Sequence, residues 1–171
     1  MFKLLLLALS LVAASFFPAA SNAAKQVGKA PQLTIAQTVI KKPLQKGVSF
    51  DDAVTSMKLR ANALNFKLVA ELPLSKQIEA MTDKPQRRME IYQFCDALIA
   101  KTMVDHDLNF AAYLPCRIAI IEDAKGQTWL VMMNIDLFLQ SANLPPEIKA
   151  QGIQVRDTLQ SIMDAGAAGD L

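Results

Sequence analysis

Five short segments with the composition of β-strands most strongly constrain what this chain can fold into. They are rich in β-branched and aromatic residues and are bounded by proline, glycine, asparagine or charged residues. The five segments cover residues 33–40, 66–72, 89–95, 116–121 and 128–135. Because these strands outnumber the helices that could serve as parallel crossovers, we predict a two-layer α+β domain in which helices cover a mainly antiparallel sheet.

Helical segments lie between and after these strands, and their ends carry capping signals. They cover residues 50–64, 75–81 and 97–105, followed by a final helix that begins at Pro146 and covers the sheet. Ser49 and Asp52 form an acidic version of the capping box at the start of the first helix. Asp96 is placed to cap the helix that starts at residue 97. Gly166 is predicted to end the final helix as its C-terminal cap.

The last two strands are predicted to form a hairpin. Residues 123–126 connect them, and Gly126 can adopt a positive φ in such a turn. Glu122 and Asp123 at this turn are expected to be exposed turn acids rather than catalytic carboxylates. The fourth and fifth strands should therefore pair antiparallel.

The first 23 residues resemble an export signal. A lysine at position 3 precedes a 14-residue apolar run, and small residues precede a cut after Ala23. The run is shorter than the roughly 20 apolar residues that span a bilayer, and the first residue after the cut is not the cysteine that would carry a lipid, since the first cysteine is Cys95. We therefore expect a periplasmic or secreted protein without a stable membrane anchor.

This leader sets the predicted organisation of the chain. The segments are a signal peptide (residues 1–23), a flexible lead-in with the first strand (24–47), an α+β core (48–138) and a C-terminal helical extension (139–171). The chain carries 18 basic and 16 acidic residues that are interspersed along it. A nucleic-acid-binding protein would normally carry a basic stripe, so we expect no nucleic-acid partner.

The two cysteines, Cys95 and Cys116, are the first candidates for chemistry, and three interpretations are open. In an oxidising compartment they could form a disulfide, which needs Cα atoms within about 7 Å. A parallel crossover between the third and fourth strands would separate the two residues, unless the extended residues 109–115 carry the chain back to the same end. The helix N-terminus after Cys95 favours a reactive, redox-active thiolate, although the charge of Asp96 opposes it. The cysteines could also be small core hydrophobes, because alternation places Cys116 on the face of Ile118 and Ile120.

A soft metal ion such as copper(I) is an alternative partner for the thiols, although no cofactor is expected. The weak metal candidates are Cys95, Cys116, Met103 and His106, with Met132 or Met133 as further thioether donors. His106 lies between Asp105 and Asp107, but adjacent residues do not share a helical face. We therefore expect His106 to lie on the solvated surface. The methionines are expected to pack in the core.

Motifs of the common enzyme classes are absent from the sequence. It contains no Gly-x-Ser-x-Gly, no phosphate-binding glycine loop, no Cys-x-x-Cys and no His-Glu-x-x-His. This favours a non-enzymatic exported binding or accessory domain that holds a small ligand or a protein partner in a pocket without converging titratable groups. A thiol-dependent redox or soft-metal-binding protein is the alternative.

Several short motifs, taken in order, resemble one known family. They are Phe94-Cys95-Asp96, Leu114-Pro115-Cys116-Arg117-Ile118, Glu122-Asp123, Gly126, Trp129 and Asn134. Over residues 48–135 the chain resembles the domain of unknown function 302 family. The resemblance implies a small α+β fold that forms dimers, and it implies no activity. Phe94, Asp96, Pro115 and Arg117 are candidate residues near the cysteine site, although Cys95-Asp96-Ala97 replaces a Gly-Asn-Pro-like turn of the family pattern.

Overall fold

The fold described here is that of residues 32–170 in a computed structural model. The predicted signal peptide and the lead-in up to residue 31 lie outside the described residues. Within residues 32–170, no helix has the length and hydropathy needed to cross a membrane.

The described residues form a single antiparallel sheet of five strands with the order β1-β5-β4-β3-β2. The strands are β1 (Val39–Pro43), β2 (Lys67–Leu72), β3 (Met89–Cys95), β4 (Cys116–Glu122) and β5 (Thr128–Met133). The helices are α1 (Phe50–Ala63), α2 (Leu74–Thr82), α3 (Ala97–His106), α4 (Ile135–Ser141) and α5 (Pro146–Ala168). The predicted α+β class with a mainly antiparallel sheet is confirmed.

One face of the sheet forms the core under α1, α4 and α5. Side chains alternate between the two faces of a strand, and those on the helix-covered face are buried. They are Tyr92 and Phe94 of β3, Ile118 and Ile120 of β4, and Leu130 and Met132 of β5. The predicted helical layer over the sheet is therefore present.

The first strand begins later in the chain than the sequence predicts. Residues Ile35–Thr38 form a 3₁₀ turn, and the strand follows at Val39–Pro43. The backbone N–H and the hydroxyl of Thr34 both donate to the side-chain oxygen of Gln37. This local bonding stabilises a turn in a segment whose β-branched composition predicts a strand.

The end of the final helix is also displaced from its predicted position. The helix continues through Gly166 and ends at Gly169, which has φ +70° and caps it. Gly166 instead lies where α5 crosses α1, and a Cβ atom there would lie 2.5 Å from the Cγ of Met57. The sequence marks Gly166 as a small residue, but only the packing shows that it serves a close helix contact.

The hairpin between β4 and β5 forms as predicted, with Gly126 at φ +79°. Asp123 does more than face solvent, because its carboxylate accepts bonds from the backbone of Lys125 and Gln127 and from the Trp129 indole at 2.9 Å. Lys41 of β1 lies 3.8 Å from the centroid of the Trp129 ring. This turn acid therefore fixes the hairpin and holds the indole.

Strands β3 and β4 are antiparallel neighbours, and Phe94 pairs with Cys116. A parallel crossover between them, considered as an obstacle to contact between the cysteines, is not formed. Instead α3 and a 3₁₀ segment, Leu108–Tyr113, carry the chain out and back to the same end of the sheet. We call residues 97–113 the flap.

Candidate functional site

A partly enclosed cavity lies at the end of the sheet where β3 and β5 finish and β4 begins. The flap covers one side of it, and α4 and α5 form the other side. The cavity has a volume of about 60 Å³. We call it the sheet-end pocket, and its lining consists of Phe66, Cys95, Asp96, Ile99, Ala100, Met103, Phe110, Tyr113, Leu114, Cys116, Met133, Ile135, Phe138, Leu139, Leu144, Ile148, Gly152 and Val155.

Aromatic rings join the flap to the body of the domain at this pocket. The ring of Phe138 on α4 lies 6.0 Å from the Phe110 ring in an edge-on arrangement and 4.8 Å from the Tyr113 ring. Phe110 also packs with Met103 of α3 and Ile148 of α5 in a small cluster separate from the main core. The flap therefore closes the pocket through a limited set of apolar contacts.

The pocket surface is almost entirely apolar. Among residues 32–170, Asp96 is the only charged residue that lines the pocket, and its carboxylate accepts hydrogen bonds from the backbone N–H groups of Leu98 and Ile99. Asp96 thus caps α3, as predicted, and is committed to that helix. In the part of the chain that the structure describes, no set of acidic and basic side chains converges on the cavity.

Cys95 and Cys116 both line the pocket and both are free thiols. The strand residue that pairs with Cys116 is Phe94 rather than Cys95, and the two sulfur atoms are not bonded to each other. Cys116 packs against the main core, as the hydrophobic interpretation predicts.

Both thiols are held in the neutral form. Burial raises the pKa of Cys116 to about 11, with a smaller contribution from Cys95, and nearby Arg117 acts in the opposite direction. Burial also raises the pKa of Cys95, and the charge of Asp96 adds to that effect. Burial and the charge of Asp96 thus act against the low-pKa thiolate that the helix N-terminus after Cys95 would favour.

The structure brings only some of the predicted metal candidates together. Met103 and Met133 line the same pocket as the two cysteines, whereas His106 does not. Asp105 pairs with Lys101, and Asp107 bonds to the backbone of Asn109. Within residues 32–170, no group of three or more His, Cys, Asp or Glu side chains is arranged to hold a metal ion.

A second cleft adjoins the sheet-end pocket. It is larger, with a volume of about 230 Å³. We call it the Arg117 cleft, and its lining consists of Ala112, Tyr113, Cys116, Arg117, Met132, Met133, Ile135 and Leu159. Arg117 is the only charged residue in this lining.

The remaining predicted near-site residues have different positions. Phe94 is fully buried in the main core, and Pro115 follows a cis peptide bond at the start of β4. The aromatic lining formed by Phe66, Phe110 and Phe138 was not predicted from the sequence. These residues come from three distant segments. A single phenylalanine in an apolar segment indicates only a core position, so nothing in the sequence links the three.

Comparisons with known proteins identify similarity to one family. The family model described as "Domain of unknown function DUF302" matches residues 40–166, which extends beyond the resemblance noted at residues 48–135. A crystal structure of an uncharacterized conserved protein DUF302 from Bacillus stearothermophilus has a similar fold, with a TM-score of 0.63 and 14% identity. The similarity covers 75% of this chain and 97% of that chain. No curated protein matches the chain.

Proposed function

The chain belongs to the DUF302 family, and we propose that it works by binding a small, largely apolar molecule in the sheet-end pocket rather than by catalysis. The observation that carries this proposal is the composition of the pocket lining. Four aromatic side chains and several aliphatic ones surround a cavity whose single carboxylate already caps a helix. Burial of apolar surface is therefore the main favourable interaction that this pocket offers to a ligand.

The size of the cavity limits the ligand. An engineered apolar cavity of about 150 Å³ binds benzene, and this cavity, at about 60 Å³, is smaller but only partly enclosed. The ligand group is therefore a short hydrocarbon chain, or an aromatic ring that extends through the open side. The raised thiol pKa values support a binding role as well, because neutral thiols behave as small apolar groups.

Methionine methyl groups provide a direct test. In protein labelled with ¹³C at the methionine methyls, titration with benzene or indole should shift the signals of Met103 and Met133, which line the pocket. Met81 is 86% exposed and Met163 is buried outside the pocket lining, so both should remain unchanged. Uniform shifts at all four methyls, or none at the two pocket methyls, would contradict the proposal.

A matched pair of variants on α3 tests the same pocket by filling it. Ala100 lines the cavity, so Ala100→Phe should abolish the ligand-dependent shifts. Ala97 lies on the same helix, is exposed and does not line the cavity, so Ala97→Phe should retain them. Thermal unfolding of both variants establishes that each is folded. If Ala100→Phe does not fold, the methionine titration still decides the question.

A second candidate function is the binding of a soft metal ion, and one observation favours it. The sulfur atoms of Cys95, Cys116, Met103 and Met133 belong to residues that line one pocket. Thiol and thioether groups are the donors that copper(I) prefers. Each thiol would release its proton to solvent as a sulfur–copper bond forms, with no change in oxidation state.

Anaerobic competition with a copper(I) chelator separates this candidate from the first. If copper(I) binding is the function, Cys95→Ser and Cys116→Ser should each abolish binding, Met103→Leu should weaken it, and Met81→Leu should leave it unchanged. Retention of copper(I) by the double serine variant would exclude these residues as the site. Benzene binding does not require thiolates, so the two candidate functions give different results in the serine variants.

We also propose that the protein acts outside the cytoplasm after cleavage near Ala23, from the basic, apolar and small-residue pattern of residues 1–23. Mass spectrometry of protein recovered from the periplasm or medium of an expressing bacterium should give a chain beginning at Ala24. Recovery of the uncleaved chain from the cytosol alone would contradict this proposal.

A further inference from the structure

We propose that the ligand of the sheet-end pocket is a small amphipathic acid whose apolar part occupies the pocket and whose carboxylate lies at Arg117. This inference rests on the binding function proposed above and adds the chemical class of the ligand.

The two spaces are neighbours with a common wall. Tyr113, Cys116, Met133 and Ile135 line both the sheet-end pocket and the Arg117 cleft. Tyr113 and Met133 in this wall are 41% and 40% exposed. A molecule that lies against these two side chains therefore contacts the apolar pocket on one side and the larger cleft on the other.

The charges around the two spaces determine which end group fits. Asp96 and Arg117 are the only charged residues in the two linings, and Asp96 is bonded to the backbone of α3. Arg117 has no ion-pair partner among residues 32–170. Its guanidinium group is therefore the one charged group of the site that a ligand can engage.

The two residues that pair with Arg117 in the sheet are not acids. Arg117 pairs with Gln93 of β3, and the pairing of Ile118 with Met132 places Met133 beside it on β5. Neither neighbour carries a charge. A carboxylate ligand would therefore meet no competing acid on the adjacent strands, and a guanidinium group can bind both oxygens of a carboxylate.

Asp96 sets the orientation of such a ligand. It lies in the lining of the sheet-end pocket but not in that of the Arg117 cleft. An anionic group near Asp96 would be repelled, and one near Arg117 would be attracted. The apolar end of the acid therefore enters the pocket, and its carboxylate stays in the cleft, where it also keeps contact with water.

The test compares acids with alcohols and amines of the same carbon skeleton. The probes are benzoate, phenylacetate and 3-phenylpropanoate, the matched alcohols, and 2-phenylethylamine, with the methyl signals of Met103 and Met133 as readout. At the best chain length, the acid should bind about tenfold more tightly than its alcohol at low salt, and added salt should reduce this ratio. The amine should bind more weakly than the alcohol.

Substitutions of Arg117 test the assignment of the carboxylate. Arg117→Gln should lower the ratio of acid to alcohol affinity to about one, and Arg117→Lys should keep part of the preference because the charge remains. Lys125→Gln is the matched control, since Lys125 lies in the hairpin at the other end of β4 and β5 and outside both linings. It should leave the ratio unchanged.

Two results would overturn the inference. One is equal affinity for acids and alcohols in the wild-type protein, and the other is a preference for acids that survives Arg117→Gln. In both cases the alcohols still report on the apolar pocket, so the proposed binding function stands. If neither acids nor alcohols shift the pocket methyls, the proposed function itself is wrong.

Discussion

Cys116 illustrates at the scale of single residues how neighbours determine chemistry. In sequence it is a thiol in a chain with a predicted export signal, and export would favour oxidation. In the fold it packs against the main core beside the paired Phe94, and burial raises its pKa. The sequence alone suggests a reactive thiol at Cys116, whereas in the fold its side chain forms part of the apolar wall of the sheet-end pocket.

We expect slow alkylation of both cysteines. The thiolate is the reactive form, and a pKa of about 11 for Cys116 keeps its thiolate fraction very small at neutral pH. The rate with iodoacetamide in the Cys95→Ser variant, where only Cys116 remains, should rise about tenfold per pH unit from pH 7 to about pH 10. A half-maximal rate at or below pH 8.5 would show an unburied thiol and contradict the described packing.

Asp123 supports a prediction about acid stability. The hydrogen bond from Trp129 and the backbone bonds in the hairpin lower the pKa of its carboxyl group below the ordinary value of 3.8. A lowered folded-state pKa stabilises the fold above the unfolded-state pKa, and this contribution is lost as pH falls through the folded-state value. The difference in unfolding free energy between wild type and Asp123→Asn should therefore be largest above pH 5.

Urea denaturation from pH 2 to pH 7 measures that difference, and Glu122→Gln is the matched control. Glu122 precedes Asp123 in the chain but makes no hydrogen bond to Trp129. An equal loss of stability in the two variants would mean that the Asp123 bonds do not stabilise the hairpin.

At the scale of elements, two glycines of α5 make close contacts of different kinds, one with a neighbouring helix backbone and one with the end of a flexible side chain. Replacing glycine by alanine in a helix interior normally stabilises it. At Gly166 the new Cβ would lie 2.5 Å from Met57 Cγ and 3.3 Å from the backbone oxygen of Ala53, which cannot move aside easily. At Gly152 the close atom is the terminal Cδ2 of Leu139, at 2.6 Å, which can rotate away.

Gly166→Ala should therefore destabilise the protein by about 1–3 kcal/mol, while Gly152→Ala should cost less. Chemical denaturation of both variants checks the order. The opposite order, or stabilisation by Gly166→Ala, would mean that α1 and α5 are not packed as closely as described.

The elements themselves were largely predictable from local sequence. The residues of β3, the capping box of α1 and the Asp96 cap of α3 carry local signals of strand and helix, and the structure confirms them. The turn at Ile35–Thr38 was missed because the β-branched composition favours a strand, although Thr34 and Gln37 have the spacing of a capping box, which is a local turn signal. By contrast, the return path through Leu108–Tyr113 depends on packing against α4 and α5.

The candidate site was predictable only in part, because its lining is formed by contacts between residues far apart in the sequence. Cys95, Cys116 and Met103 were identified from their side-chain chemistry, and all three line the pocket. The aromatic lining could not be found, since Phe66, Phe110 and Phe138 approach one another only after the sheet and the flap have formed. Contacts across many residues leave no periodic signal in a sequence.

At the scale of the whole molecule, the flap and the sheet should differ in stability. The flap packs through a small cluster of Met103, Phe110 and Ile148, and Leu98 and Leu108 on it are each 78% exposed. Segments with few buried contacts open locally at low free energy. Amide hydrogen exchange in residues 97–113 should therefore be faster than in β3 and β4.

Binding of benzene or phenylacetate should slow exchange in the flap and leave that of the β4–β5 hairpin unchanged. Ala100→Phe without ligand is the control, because it fills the cavity permanently and should give the slow pattern. Exchange in the flap as slow as in β4, with or without ligand, would mean that the pocket does not open through this segment.

The hairpin has a practical consequence for spectroscopy. Trp129 is the single tryptophan of the chain, and its indole is tied to Asp123 and faces Lys41. Four residues of extended strand, about 14 Å at the usual rise, separate it from Met133 in the pocket wall. Tryptophan emission should thus stay constant when benzene or phenylacetate occupies the cavity and change when the β4–β5 hairpin unfolds, which makes it a signal for denaturation that is independent of these ligands.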